Sequence, residues 1–268
     1  YVSLPKHYKE HVLSGVRANL RGLGSVHQED AYILGLWLAE GATDSARFTF
    51  GTKDMVLHEA VKEYASKKGY SWRTPPSGDR EGSTCYSLSG GFLAQLREWG
   101  VLGNKHIPRE FMMADYDSRV ALLSGFLDGD GYISHNTYEM TLKKNRLADD
   151  IALLAKTLGL HVVQKDKFSK CQNFEGEFYS RILMSGDTGQ LKLRVERKQS
   201  DNKPIRNPYR DGLTVSEIGI GEYYGFEVDG NHLYCLPDMT ITHNSTVVAA
   251  LAYQFMASGH KLGCIFLE

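Results

Sequence analysis

The feature that most constrains this 268-residue chain is an internal duplication. The stretches "YILGLWLAEG" (Tyr32 to Gly41) and "LLSGFLDGDG" (Leu122 to Gly131) share one plan: apolar residues, a glycine, more apolar residues, then an acid followed by glycine. Gly35 and Gly125 are 90 residues apart, as are Gly41 and Gly131, Gly69 and Gly159, and Lys53 and Lys143. Further on, "CYSLSGG" and "FYSRILMSG" correspond after a small insertion. A period sustained over such separated marks implies a duplicated unit of helix, strand pair and helix.

Each unit opens with an apolar helix that carries a mid-helix glycine, which costs about 1 kcal/mol relative to alanine. That cost is offset if the two helices face one another and the missing side chains let their backbones approach along a pseudo-two-fold axis. The same geometry sets Glu40 and Asp130 side by side at helix C-termini. There each carboxylate meets the negative pole of its helix dipole and the charge of the other, unfavourable effects of a few tenths to about 1 kcal/mol each. A bound cation makes the arrangement favourable, and paired carboxylates beside divalent ions are a common apparatus for phosphodiester hydrolysis. The plainer alternative is cap chemistry on two core helices.

The two stretches resemble the signature helices of a LAGLIDADG homing endonuclease of the single-chain, two-repeat kind. The lead-in "NKHIPREFMMADYDSRVALLSGF" is similar to the segment such proteins carry before the second motif. The resemblance covers roughly residues 31 to 194 and implies that Glu40 and Asp130 bind the catalytic metal, Mg2+, whereas Asp128 has a structural role. It also implies strands curved over double-stranded DNA that read bases in the major groove, with a monomeric enzyme. The family often adds a basic residue near each cleavage centre. Lys165 or Lys167 in "VVQKDKF" is the candidate in the second unit, and Arg73 in "SWRTPP" is the only one offered by the first.

The formal charge of −1 conceals a basic run: between Lys192 and Arg210 seven Lys/Arg face Glu196 and Asp201, a composition suited to lying along phosphates or to a solvated linker. Four dispersed cysteines show neither a CxxC pair nor a dense disulfide spacing, which points to a reducing interior. With no signal segment and no apolar run of about eighteen residues, the expectation is a cytoplasmic protein, of bacterial or phage-infected cells, without a membrane.

A second break in style comes at "DMTITHNSTVVAALAYQ" (Asp238 to Gln254), where a strand-like run closes on His243-Asn244 and an apolar helix begins at once with Ser245. An asparagine amide that attacks its own carbonyl closes a succinimide and cuts the chain after itself, a neighbouring histidine supplies acid-base help, and a following serine accepts an acyl group. His135-Asn136-Thr137 holds the same chemistry in a setting with no use for it, and Asn244-Ser245-Thr246 is also a glycosylation sequon, so context decides. Upstream, "YYGFEVDGNHLYCLPDMTITHN" reads as a hairpin about Asp229-Gly230 and a further strand that delivers His243-Asn244. Residues 213–244 resemble the C-terminal splicing region of an intein. The resemblance makes Asn244 the cyclising residue, His243 its partner and His232 the upstream assisting histidine, with no cofactor for splicing. Where many inteins carry an acid seven residues before that histidine this chain has Gly225, which leaves Asp229 or Asp238 to serve instead.

Downstream, "STVVAALAYQFMASGHKLGCIFLE" reads as a helix, a stop at Gly259 and a buried strand. It resembles the second half of a phosphate-binding loop of a RecA-like ATPase of the replicative helicase type, with Ser245 and Thr246 after the missing Gly-Lys and Glu268 as the water-activating glutamate. Excision through Asn244 would restore an ATP/Mg2+ site in a host that family members assemble as hexamers. The expected class is α+β. Residues 1–30 would end the N-terminal splicing region, and 31–205 would form a pseudo-two-fold endonuclease of two αββαββα-type repeats, about 31–105 and 118–195. A β-rich Hint splicing segment (206–244) and an α/β phosphate-loop fragment (245–268) would follow. The remaining intein half and the host's N-extein would then be partners. Two other readings remain open: a helicase or packaging ATPase with an inactive DNA-binding insertion, and a free-standing intron-type endonuclease.

Overall fold

The computed structural model describes residues 14–18, 20, 22–74, 82–171, 174–203, 210–212, 228–243, 253 and 256–259. The chain divides into two compact units, one formed by Asn19–Arg206 and the other by Tyr1–Ala18 with Asn207–Glu268. No helix among the described residues is long and apolar enough to cross a membrane.

In the split unit, β1 (Ser14–Arg17) lies in a four-stranded sheet whose other members come from the far end of the chain. These are β9 (Arg210–Gly212), β10 (Leu233–Cys235) and β11 (Thr240–His243), and the order is β10-β11-β1-β9.

The larger unit contains the duplication. Its first repeat runs α1 (Gln28–Glu40), β2 (Arg47–Gly51), α2 (Met55–Lys68), β3 (Ser71–Arg73), β4 (Ser83–Ser89) and α3 (Phe92–Glu98). A short α4 (Arg109–Met112) leads to the second repeat: α5 (Tyr116–Asp130), β5 (Tyr132–Ser134), β6 (Thr137–Lys143), α6 (Arg146–Thr157), β7 (His161–Cys171) and β8 (Phe174–Ser185). The sheets are ordered β2-β4-β3 and β5-β6-β8-β7, antiparallel throughout.

The 90-residue period survives at the level of backbone conformation. Gly69 and Gly159, just past α2 and α6, take left-handed φ values of 71° and 78°, and Gly41 and Gly131 cap α1 and α5 in matching extended conformations. The repeats differ in detail: the helix that closes the first, α3, is replaced after β8 by a 3-10 turn (Thr188–Gln190), so the second lacks the final helix expected of an αββαββα unit, and a further difference follows α1. The strand pair expected after α1 is reduced to a single bridge, Gly41 to Phe48, because the chain turns tightly through Ala42 and Ser45, with Ala42 N–H donating to Arg47 O at 2.9 Å.

The middle stretches of α1 and α5 are buried on every side, Ala31 through Leu38 in one and Leu122 through Asp128 in the other, and α5 takes Ser124 and Asp128 into the interior with its apolar residues. Alternation on the strands explains the layers. Phe48 and Phe50 on β2 and Tyr138 and Met140 on β6 point into the core. The opposite face of the second sheet carries the ion pairs Arg181–Glu139 (2.7 Å), Lys143–Glu177 (2.8 Å) and Lys144–Asp166 (2.6 Å). Helix α6 buries Leu147, Ile151, Leu154 and Ala155 along one stripe and leaves its other side to water.

Candidate active site

The site is built where α1 and α5 cross. A Cβ on Gly35 would run into the carbonyl oxygen of Leu122, and one on Gly125 into that of Tyr32, so only glycine lets these backbones touch. Nearer the C-terminal ends, a Cβ on Gly129 would sit 2.9 Å from Glu40 Cγ. The crossing therefore brings the acids that end the two helices to one place, as the duplication predicts.

Glu40 is half-buried and Asp130 is open to solvent. Neither carboxylate accepts a hydrogen bond or pairs with a cation among the described residues. Burial, and next the charge of Asp130, push the Glu40 carboxyl up to about 7. Burial likewise raises the Asp130 pKa, although its exposed surface keeps that desolvation partial.

Two lysines flank the pair, one per helix. Lys105 Nζ donates to the carbonyls of Leu38 (2.9 Å) and Gly41 (2.7 Å) at the end of α1 and stands 5.2 Å from the Trp37 ring centroid. Lys198 Nζ donates to Leu127, Asp128 and Gly129 at the end of α5, at 3.1, 2.6 and 2.7 Å. Each ammonium satisfies terminal carbonyls and counters the negative pole of its helix. Burial lowers the Lys105 pKa to about 8, against the pull of Asp130 and Glu40, and burial also lowers that of Lys198. Both lysines escape a reading of the sequence alone. Lys198 is one of seven cations in its run, and Lys105 stands in the loop of "NKHIP".

Lys165 and Lys167 are exposed on β7, and the lysines whose charges act on Glu40 and Asp130 include Lys105 and Lys198. Arg73 ends β3, also exposed. The described part of the basic run is largely committed within the protein: Arg194 stacks over the Tyr32 ring at 4.8 Å and approaches Glu63 (3.7 Å), and Arg197 makes a double contact with Asp54 (2.7 Å). Asp128 is buried, accepting from Tyr32 Oη (2.7 Å) and from the backbone N–H groups of Arg194 (2.8 Å) and Val195 (3.0 Å).

Among the described residues no group of three or more His, Cys, Asp or Glu side chains converges as a metal cage. Two neighbouring carboxylates, one half-buried and one open to solvent, nonetheless fit Mg2+, which commonly takes one or two protein carboxylates and completes its shell with phosphate oxygens and water.

In the split unit, Leu233 pairs with His243 across β10 and β11, so exposed His232, with φ 56°, stands beside the strand end that leads to position 244. The turn at Asp229-Gly230 is present, with Gly230 φ at 78°, and Asp238 Oδ1 accepts from Thr240 N–H at 2.9 Å. Asn244, Ser245, Thr246 and Glu268 lie outside the described residues. Gly259, read as a helix stop, takes φ 82° just after helical residues 256–257.

Comparison with known proteins adds three likenesses and one family match. The chain is 27% identical over 223 residues to a replicative DNA helicase DnaB from Mycobacterium intracellulare, covering 81% of this chain and 35% of that protein. It is 23% identical over 206 residues to an iron–sulfur cluster assembly SufBD family protein from Mycobacterium leprae, covering 70% of this chain and 23% of the relative. It thus spans about a third of one relative and about a quarter of the other. A solved structure of mesophilic variants of the homing endonuclease I-DmoI superposes with a TM-score of 0.45 at 9% identity, over 67% of this chain and 97% of that one. Residues 106–205, the stretch that carries α5 with Asp130 and the segment of Lys198, match the homing endonuclease family.

Proposed function

We propose that the chain is a site-specific endonuclease for double-stranded DNA carried within an intein, and that its split unit is the intein's splicing portion. The observation that carries the nuclease reading is the unpaired Glu40 and Asp130, forced together by the glycine crossing with one lysine beside each helix end. Glu40 and Asp130 would hold Mg2+, which when bound supplies Lewis acidity at a phosphate. Lys105 and Lys198 keep ammonium groups beside the same place, where they oppose negative charge as it grows on phosphate oxygens. The open faces of the two sheets provide a surface for duplex DNA.

Two facts support the intein reading. Strand β1, from one end of the sequence, is completed by β9 and β11 from the other, so the endonuclease unit interrupts a sheet. The chain also matches two relatives whose described roles, DNA helicase and iron–sulfur cluster assembly, have nothing in common, and it spans a minority of each. A transposable insert accounts for both. In that reading Asn244 cyclises with His243 and His232 assisting, Ser245 receives the acyl group, and splicing restores Ser245, Thr246 and Glu268 to the ATP/Mg2+ site of a hexameric, cytoplasmic helicase host.

The test is a supercoiled plasmid that carries the uninterrupted phosphate-loop coding sequence of a replicative helicase, incubated with the chain and Mg2+. Linear product from the wild type, with none from Glu40→Gln or Asp130→Asn at undiminished DNA binding, is the expected result. Cutting that persists in both variants would remove the carboxylates from the chemistry.

A further inference from the structure

We propose that Asp128 is the positioning residue for Lys198: its buried carboxylate hangs the segment that leads into Lys198 on the end of α5 and so fixes where that ammonium stands beside Asp130. This rests on the endonuclease reading for its significance, but the placement itself is independent of it.

Residues 191–195 cross α5 in extended form, with Leu191, Leu193 and Val195 turned into the core at 4–5% exposure. Their N–H groups need acceptors, and among the described residues no strand pairs with them. Side chains of α5 do so instead, four residues apart on one face of the helix. Ser124 Oγ accepts from Lys192 N–H (3.0 Å), and Asp128 accepts from Arg194 and Val195, two and three residues further on. The chain then bends through a short 3-10 turn, Glu196–Lys198, whose closing bond runs from Lys198 N–H to Val195 O at 2.9 Å. That turn sends Lys198 back to α5, where the carbonyl of Asp128 itself is its shortest contact, 2.6 Å. Asp128 thus grips the segment twice, by side chain before the turn and by backbone after it.

The chemistry suits a carboxylate and no other side chain of that size. Three donors converge on it, Tyr32 Oη being the third, and an acceptor-only group with about four lone pairs can satisfy all of them. Asparagine in its place would turn an NH2 toward one of them. Tyr32 also ties the grip to α1, so the segment is registered against both helices of the crossing.

The device serves one lysine only. The position equivalent to Asp128 in the first repeat is Leu38. Lys105 is held in another way: by Ile107 N–H on Asp150 Oδ2 (2.9 Å), by Gly103 N–H on Thr43 O (2.7 Å), and by the Trp37 ring. Removing the Asp128 carboxylate should therefore free Lys198 and leave Lys105 in place, an asymmetry that general loosening of the fold would not produce.

The experiment is lysine acetylation of the full chain by a trace of acetic anhydride, without DNA or metal, read residue by residue by mass spectrometry. Asp128→Asn should raise the labelling of Lys198 by about tenfold, as a held ammonium loses its network, with Lys105 unchanged. Tyr32→Phe, which removes one donor and keeps the ring, should raise it less. Lys198 remaining protected in Asp128→Asn, or Lys105 opening to the same extent, overturns the proposal. A duplex labelled on each strand provides the second arm: Asp128→Asn should slow the strand that Lys198→Met slows, and equal slowing of both strands counts against it. If the wild type cuts neither strand while the labelling result holds, the endonuclease reading fails and the placement stands.

Discussion

Gly35 and Gly125 are each the clearance for the other's helix: beyond the carbonyl clashes, a Cβ on Gly35 would lie 2.9 Å from Phe126 N, and one on Gly125 3.1 Å from Leu36 N. Every obstacle is backbone, so neither site can relax by a side-chain rotation. Gly35→Ala or Gly125→Ala should cost about 3 kcal/mol, the upper end of ordinary overpacking, and should part the carboxylates. A urea midpoint unchanged from wild type would show that the helices tolerate separation.

Stability without metal should depend on Glu40. Its folded pKa of about 7 lies above the ordinary 4.5, so between those values the folded state holds the proton more tightly than the unfolded chain. Stability should fall as pH rises from about 4.5 through about 7 and then level off. Glu40→Gln should match wild type near pH 4.5 and exceed it at pH 8 by about 1 kcal/mol, a modest value because the group is half exposed. Added Mg2+ should raise the melting temperature of wild type at pH 8 and leave Glu40→Gln nearly unmoved, which thermal melts at the two pH values will decide.

Cutting should have a pH optimum. Metal competes with the proton at Glu40, so the rate should climb through about 7, and the Lys105 ammonium, with its pKa lowered to about 8, should be lost above that. Single-turnover rates between pH 6 and 9 test both limbs. Lys105→Met should lower the rate about a hundredfold, the scale of one lost charge-stabilising donor, and should abolish the alkaline limb. A mutant that keeps the alkaline decline would assign that limb to another group.

If the proposed splicing reading holds, Asn244→Ala should stop release of a fragment beginning at Ser245. Continued release of that fragment, detected by mass spectrometry, would take Asn244 out of the mechanism.

The helix pair and its acids were legible in the sequence because both consequences of the crossing leave local marks. A glycine inside an apolar helix signals close approach, and an acid before the capping glycine signals what the approach brings together. The lysines left no such mark. Lys105 and Lys198 bind backbone carbonyls, which every residue offers, so no partner side chain betrays them. Lys165 and Lys167 are exposed along β7, and nothing local in the sequence ranks them against Lys105 and Lys198. The same limit applies to the basic run. Its charges suggested phosphate contacts, but Arg197 meets Asp54 across 143 residues, a pairing with no local signature.

Strands β1 and β9 are antiparallel neighbours, with Val16 opposite Arg210. The chain therefore leaves the small sheet and returns to it about one hairpin's width away. A unit spliced in at such a place can be lost from the gene, and a short loop put in its stead, with the host sheet still able to close. Under the proposed intein reading, a single deletion between β1 and β9 should therefore remove cutting and leave joining in place.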